Sequence, residues 1–212
     1  MKINPKKTKV MIFNPRRRGV DFKPHIRLKG SPLEVIDNHK LVGFMLSDSM
    51  TWDLNTEYLV NRAYAKMWVL RRIKALGGSK KILKLIYFQH IRSILEFGVA
   101  AWNGALTDKQ GKKLERVQKV ALKLIYGRLK SYKTLLEEAK ISNLHKRREK
   151  LCLQFAKKAV KNKQFNNWFL QANPGNHAEK PRYYKCISNT KRLHNSAIPY
   201  LTDLLNKSNG YD

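Results

Sequence analysis

The sequence predicts an α+β chain that is mostly α, with a small N-terminal antiparallel β-element followed by a basic helical bundle. Three observations carry this. Up to about residue 50, apolar residues alternate or run in short stretches broken by Pro and Gly. After Trp52 they recur every three or four residues, the spacing of a helix face. The charge is also segregated: residues 1–54 hold 11 basic and 5 acidic groups, residues 55–163 hold 27 and 7, and residues 164–212 hold 6 and 3. This gives three regions: a β-element (1–54), a basic helical bundle (55–163) and an irregular or helical tail (164–212).

The first strand is read at Lys9 to Phe13 and is stopped by Asn14-Pro15, because proline donates no N–H and restricts its predecessor. Arg16-Arg17-Arg18-Gly19 reads as a basic turn. Ile26 to Lys29 alternates and is broken by Gly30-Ser31-Pro32; Leu33 to Ile36 and Lys40 to Leu46 are further strand candidates. Leu59, Ala63, Met67, Leu70 and Ile73 mark a helix over about 56–76, ended by Gly77-Gly78, with Ser79 placed to cap the next. That second helix, about 80–97, is apolar on several sides, which predicts a buried central helix with His90 as a core histidine. An Asn103-Gly104 turn leads to a third helix, about 108–126, closed by Gly127. A short helix is read over 131–139. A fifth, about 144–160, is expected to turn Leu151, Phe155 and Ala159 inward. The tail, with Pro174-Gly175 and Pro181, reads as irregular up to a last helix near Ile198–Leu205.

On the third helix Lys112, Arg116, Lys119 and Lys123 stand at i, i+4, i+7 and i+11, so they share one face with only Glu115 nearby. Such a stripe can follow a phosphate backbone. Arg71 and Arg72 at the end of the first helix, and Lys80, Lys81 and Lys84 on the second, are further candidate phosphate contacts. Tyr87, Trp102 and Tyr126 can stack on bases or fill the core.

Composition excludes several classes. The 212 residues carry a net charge of +29 and only two cysteines, Cys152 and Cys186, too few for a disulfide framework or a Cys-rich zinc site. No apolar run reaches the roughly 18–20 residues that span a bilayer. The N-terminus has no apolar signal region, so an intracellular protein of nucleus or cytoplasm is expected, with no membrane partner. Catalytic templates fail too. No Asp-Asp pair exists, and Glu137-Glu138 are neighbours on a helix whose side chains diverge. Gly77-Gly78-Ser79-Lys80-Lys81 lacks P-loop spacing. Cys152 beside Leu151 and Phe155 reads as a structural thiol, and Cys186 has no identifiable orienting group. No metal ligands and no cofactor are expected.

Taken together, blocks of this sequence resemble a known family. Ile3-Asn4-Pro5-Lys6-Lys7-Thr8 leading into Lys9-Val10-Met11-Ile12-Phe13 resembles motif D of the reverse transcriptases of non-LTR retrotransposons, where an Asn, two residues and Lys-Thr precede a strand ending in an aromatic. Ile26 to Gly30, Lys40 to Gly43 and Asp48 to Trp52 are similar to the family's stretch just downstream of motif D, except that Val42-Gly43-Phe44 stands where the family usually has Leu-Gly-Val. Leu70-Arg71-Arg72, Leu95 to Trp102, Leu114 to Lys123, Leu144 to Arg148 and Asn195 to Tyr200 resemble the thumb-side and C-terminal blocks.

The resemblance implies the C-terminal part, from motif D onward, of an RNA-directed DNA polymerase: a palm-end β-element and a thumb-like bundle. The metal-binding aspartates lie upstream of motif D in that family, so this chain is expected not to be an enzyme by itself. Lys7 matches the motif D lysine and is a remnant, not catalytic; intact members use magnesium. The implied partner is an RNA–DNA or DNA duplex gripped without sequence preference. Two readings stand beside this one: a helical scaffold for a protein partner, and a truncated product with no function of its own. Strand Val10 to Phe13, without a palm sheet beside it, is expected to be an unpaired edge, inviting partial disorder or self-association around residues 1–50.

Overall fold

A computed structural model describes residues 3–4, 7–13, 25–172, 182–185 and 187–211. The expected Asn14-Pro15 stop, the basic turn at Arg16-Arg17-Arg18-Gly19, Pro174-Gly175, Pro181 and Cys186 lie outside those residues. The chain is α+β and mostly helical, with small sheets, and divides into two units, Met1–Tyr58 and Leu59–Asp212.

In the first unit, β1 (Lys9–Val10), β2 (Arg27–Leu28), β3 (Ser31–Pro32), β4 (Glu34–Val35), β5 (Asn38–Leu41) and β6 (Phe44–Ser47) form three two-stranded ladders and not one sheet. Two ladders are antiparallel, as expected, but β1 pairs with β4 in parallel, Lys9 opposite Glu34 and Val10 opposite Val35. An ion pair between Lys9 and Glu34 (3.0 Å) reinforces the register, and the Ile36 N–H donates to the Val10 carbonyl (2.8 Å). Val10 is therefore paired on one side, not open as expected, and Met11 to Phe13 belong to no strand.

The stretch Lys40 to Leu46, expected as one strand, is a hairpin. Val42 (φ 47°) and Gly43 (φ 91°) form a two-residue loop with both central residues in the left-handed region, the form that matches strand twist. Glycine adopts this freely, whereas a β-branched valine does so only under strain. The hairpin is held to the first turns of α1 (Asp53–Ala75). The Met45 N–H donates to Asn55 Oδ1 (3.2 Å), Phe44 meets Trp52 edge-on at 6.4 Å, and the Lys40 ammonium lies 5.0 Å from the Tyr58 ring centre.

In the second unit, α1 buries Leu59, Ala63, Met67 and Leu70 of the predicted stripe and leaves Ile73 half-buried. Ser79 caps α2 (Lys80–Ile86) by accepting from the Ile82 N–H. The single buried helix expected over 80–97 is instead three pieces: α2, a π-helical turn at Tyr87–Arg92, and α3 (Ser93–Glu96). Only Leu83, Tyr87, Ile91 and Leu95 are buried; Ile82 and Leu85 are half exposed and His90 is exposed, not a core histidine. The buried row repeats every four residues. In a regular α-helix that row drifts round the axis, and the wider π turn takes up the drift. An apolar all-round composition thus produced one buried face.

The helices α4 (Val99–Trp102), α5 (Asp108–Tyr126), α6 (Tyr132–Ala139), α7 (Leu144–Lys161), α8 (Lys191–His194) and α9 (Ala197–Asn209) complete the unit, with a short antiparallel ladder of β7 (Gln171–Ala172) and β8 (Arg182–Tyr183). α5 packs against α2, α6 and α7. α7 is rotated from the expected setting: Leu144, Arg148, Cys152, Ala156 and Ala159 are buried, Leu151 is half-buried and Phe155 is 42% exposed. Spacing alone allows either stripe; the buried one, with small Cys152, Ala156 and Ala159 in its second half, is on the side packed against α4 and α9. α9 also presses on the turn before α5, where a Cβ at Gly104 would meet the Tyr200 ring at 2.5 Å. In the tail, Asn206 of α9 clamps β8, accepting from the Tyr183 N–H and donating to its carbonyl (both 2.9 Å).

Candidate nucleic-acid interface

α5 begins with a reciprocal cap. The Gln110 N–H donates to Thr107 Oγ1 and the Thr107 N–H to Gln110 Oε1 (2.8 Å), which satisfies two otherwise orphaned amides. Leu114, Val117, Ala121, Leu122 and Ile125 then face inward. The polar side comes from the same periodicity: Lys112, Arg116 and Lys119 are exposed and Lys123 is half-buried. Among the described residues none of these four makes an ion pair or side-chain hydrogen bond.

Glu115, the one carboxylate expected beside the stripe, is engaged elsewhere. It accepts the Leu144 N–H (3.0 Å) and the His145 N–H (3.2 Å), capping α7 from a neighbouring helix, and it also accepts the Tyr132 hydroxyl. An anion at a helix N-terminus is favourable because it meets orphan N–H groups and the positive end of the dipole. Below it, fully buried Gln118 accepts from the Tyr87 hydroxyl (2.6 Å) and donates to the Tyr132 hydroxyl (2.9 Å) and the Ser142 carbonyl (3.2 Å). Burial pushes both phenols well above their usual range, and the Glu115 carboxylate adds to this at Tyr132. This polar lattice fixes α5 against α6 and α7, so its outer face is rigidly presented. Sequence reasoning missed it: Gln118 and Tyr132 carry no motif and meet only in three dimensions.

The other candidate cations differ. Lys80 pairs with Glu138 (2.9 Å) on α6, which Lys130 also reaches (2.5 Å), and its ammonium lies 5.7 Å from the Tyr126 ring centre. The hydrogen bonds from Lys130 and Lys80 hold the Glu138 carboxyl below its ordinary range. The Lys84 ammonium lies 5.5 Å from the Phe88 ring centre and is half-buried. Arg71, Arg72 and Lys81 are exposed and make no ion pair among the described residues. Lys74, not among the candidates, donates to the Leu124 carbonyl and ties the end of α1 to the end of α5. Tyr87 and Trp102 are core residues; Tyr126 is half-buried.

Lys7 belongs to the first unit and is exposed; its N–H donates to the Asn4 carbonyl (3.1 Å), which also accepts the Thr8 hydroxyl (2.9 Å). Burial pushes the Cys152 thiol up to about 12, so no thiolate forms there near neutrality. Among the described residues no three His, Cys, Asp or Glu side chains gather into a group able to hold a metal, and no helix is long and apolar enough to cross a membrane. No family model, curated protein or solved structure matches the chain.

Proposed function

We propose that the helical unit binds a nucleic-acid duplex through its phosphates, without sequence preference, as the thumb-side part of a non-LTR retrotransposon reverse transcriptase. The observation that carries this reading is the outer face of α5, where Lys112, Arg116, Lys119 and Lys123 share one helix face and have no carboxylate partner among the described residues. Ammonium and guanidinium groups at that spacing neutralise successive phosphates, and releasing the condensed counterions supplies affinity. The motif D likeness at Asn4 to Phe13 supports the family assignment, and Lys7 is retained there without a catalytic part to play.

The test is duplex binding against salt. Four phosphate contacts give a slope of about −3.6 in log affinity against log salt, so affinity falls roughly a hundredfold from 50 to 200 mM. Binding that ignores salt, or none at low salt, refutes the reading. One feature favours a second reading, a helical scaffold for a protein partner: Ile82 and Leu85 stand half exposed on α2, and Leu76 is 70% exposed just before it. Salt-insensitive capture of a protein partner, lost in Ile82→Ser with Leu85→Ser, is the outcome that selects it.

A further inference from the structure

Trp68 of α1 lies outside the core. It is 62% exposed, whereas Trp102 is 1% exposed. It stands on the side of α1 away from the buried row of Leu59, Ala63, Met67 and Leu70. Among the described residues its ring meets no other ring and no cation, and its indole N–H has no hydrogen-bond partner. A tryptophan left outside the core is characteristic of interfaces, where a partner buries its large apolar surface.

The neighbours of Trp68 on α1 define that partner. Residues three and four apart share a helix face. Toward the N-terminus Trp68 has Tyr64 and Ala65, and an alanine is too small to cover an indole. Toward the C-terminus it has Arg71 and Arg72, both exposed and without an ion pair among the described residues. At a rise of 1.5 Å per residue they stand about 4.5 and 6 Å along the axis from Trp68, so one ligand can meet the ring and a guanidinium together. No Asp or Glu occurs between Glu57 and Glu96, a stretch that holds nine Lys and Arg. Charge complementarity therefore specifies an anion, and the uncovered indole specifies a flat apolar group. Each unit of a nucleic-acid strand carries both.

We infer that Trp68, Arg71 and Arg72 form a stacking site for an unpaired base of a single-stranded nucleic acid, with the base on the indole and the adjoining phosphates on the two arginines. Base–aromatic stacking tolerates any sequence because every base has a π-face. Bases inside a duplex are stacked on one another and must leave the stack to reach such a ring. The site is on a different helix from the α5 stripe and takes a different form of nucleic acid. It goes beyond the duplex-binding reading and does not depend on it.

The experiment uses the full chain with three probes of equal length: a mixed-sequence DNA single strand, the same backbone made abasic throughout, and the duplex. Trp68→Ala weakens single-strand binding at least about fivefold, and Trp68→Phe keeps most of it. The circular dichroism spectrum is unchanged, because the position is exposed. The abasic strand binds more weakly than the intact one and does not respond to Trp68→Ala, and duplex affinity changes by less than about twofold. Arg71→Gln combined with Arg72→Gln makes the single-strand salt slope shallower by about 1.4 and serves if Trp68→Ala fails to fold. No single-strand binding, equal binding by the unaltered and Trp68→Ala chains, or an intact strand bound no better than the abasic one overturns the inference. An equal loss for the duplex overturns it too, since the indole is then not reading unpaired bases. Trp68-dependent self-association or protein capture without strand binding gives the face to a protein and likewise overturns it. Trp68-dependent single-strand binding without duplex binding supports this site and removes the α5 interface alone. Salt-sensitive duplex binding with no Trp68 effect on single strands removes this site alone.

Discussion

The outer face of α5 and the corner where α2 meets α6 are both rich in cations, yet they use them differently. At the corner, Lys80 and Lys130 converge on Glu138, and at the far end of the same helical run Arg92 and Arg147 converge on Glu96 at 2.5 and 3.1 Å. On α5, Lys112, Arg116, Lys119 and Lys123 have no such partner among the described residues, and Glu115 is turned to the start of α7. A cation count treats these regions alike. Pairing separates charge that is engaged within the fold from charge with no carboxylate beside it.

The largest test of that contrast is a stripe variant with Lys112, Arg116, Lys119 and Lys123 all changed to Gln. Its duplex affinity at moderate salt should fall about a hundredfold, with the salt slope shallower by about 3.6 and thermal stability little changed. Filter binding across a salt series measures both. If the slope stays the same, the stripe is an ordinary solvated surface.

Glu115→Ala sharpens the contrast from within α5. It removes an acceptor for two α7 amides and the half-buried Tyr132 hydroxyl, so unfolding free energy should drop by about 1–3 kcal/mol. Chemical denaturation at neutral pH reads this out. The same variant removes a negative charge near the stripe, so duplex affinity at fixed salt should rise slightly while stability falls. A fall in both would mean that the carboxylate serves the interface directly.

The smallest effect belongs to the corner. Lys80→Gln combined with Lys130→Gln should change duplex affinity by no more than about threefold, because exposed ion pairs contribute little and these ammonium groups are already engaged. The Glu138 carboxyl, held below its ordinary range in the folded chain, should return to that range in the double variant. A depressed folded value means that the stabilisation is present above the unfolded carboxylate range and is lost as pH falls through the folded value. Carboxyl titration by NMR in both chains checks it.

Much of the second unit was legible in the sequence because its signals are local. The cap at Ser79 lies next to the amide it satisfies. The α5 stripe needs only helical periodicity to be seen. The misreadings share one cause. Val42-Gly43, the π turn at Tyr87–Arg92 and the rotation of α7 all answer to neighbours distant in sequence, or to a backbone form that composition does not announce. An apolar helix predicts a buried His90 and i, i+4 spacing predicts a buried Phe155, yet burial is decided by which side meets another helix.

Composition, charge segregation and spacing by themselves determined a mostly helical basic chain, a β-to-α change near Trp52, and four cations on one helical face. These rest on backbone geometry and need no partner residues. Only the tertiary structure decided which cations are engaged, that Glu115 caps α7, that Gln118 joins Tyr87 to Tyr132, and that Arg148 is buried with its Nε on Asn103. The physical reason is that pairing and burial depend on contacts between residues as far apart as Asn103 and Tyr200, whose separation along the chain carries no local signature.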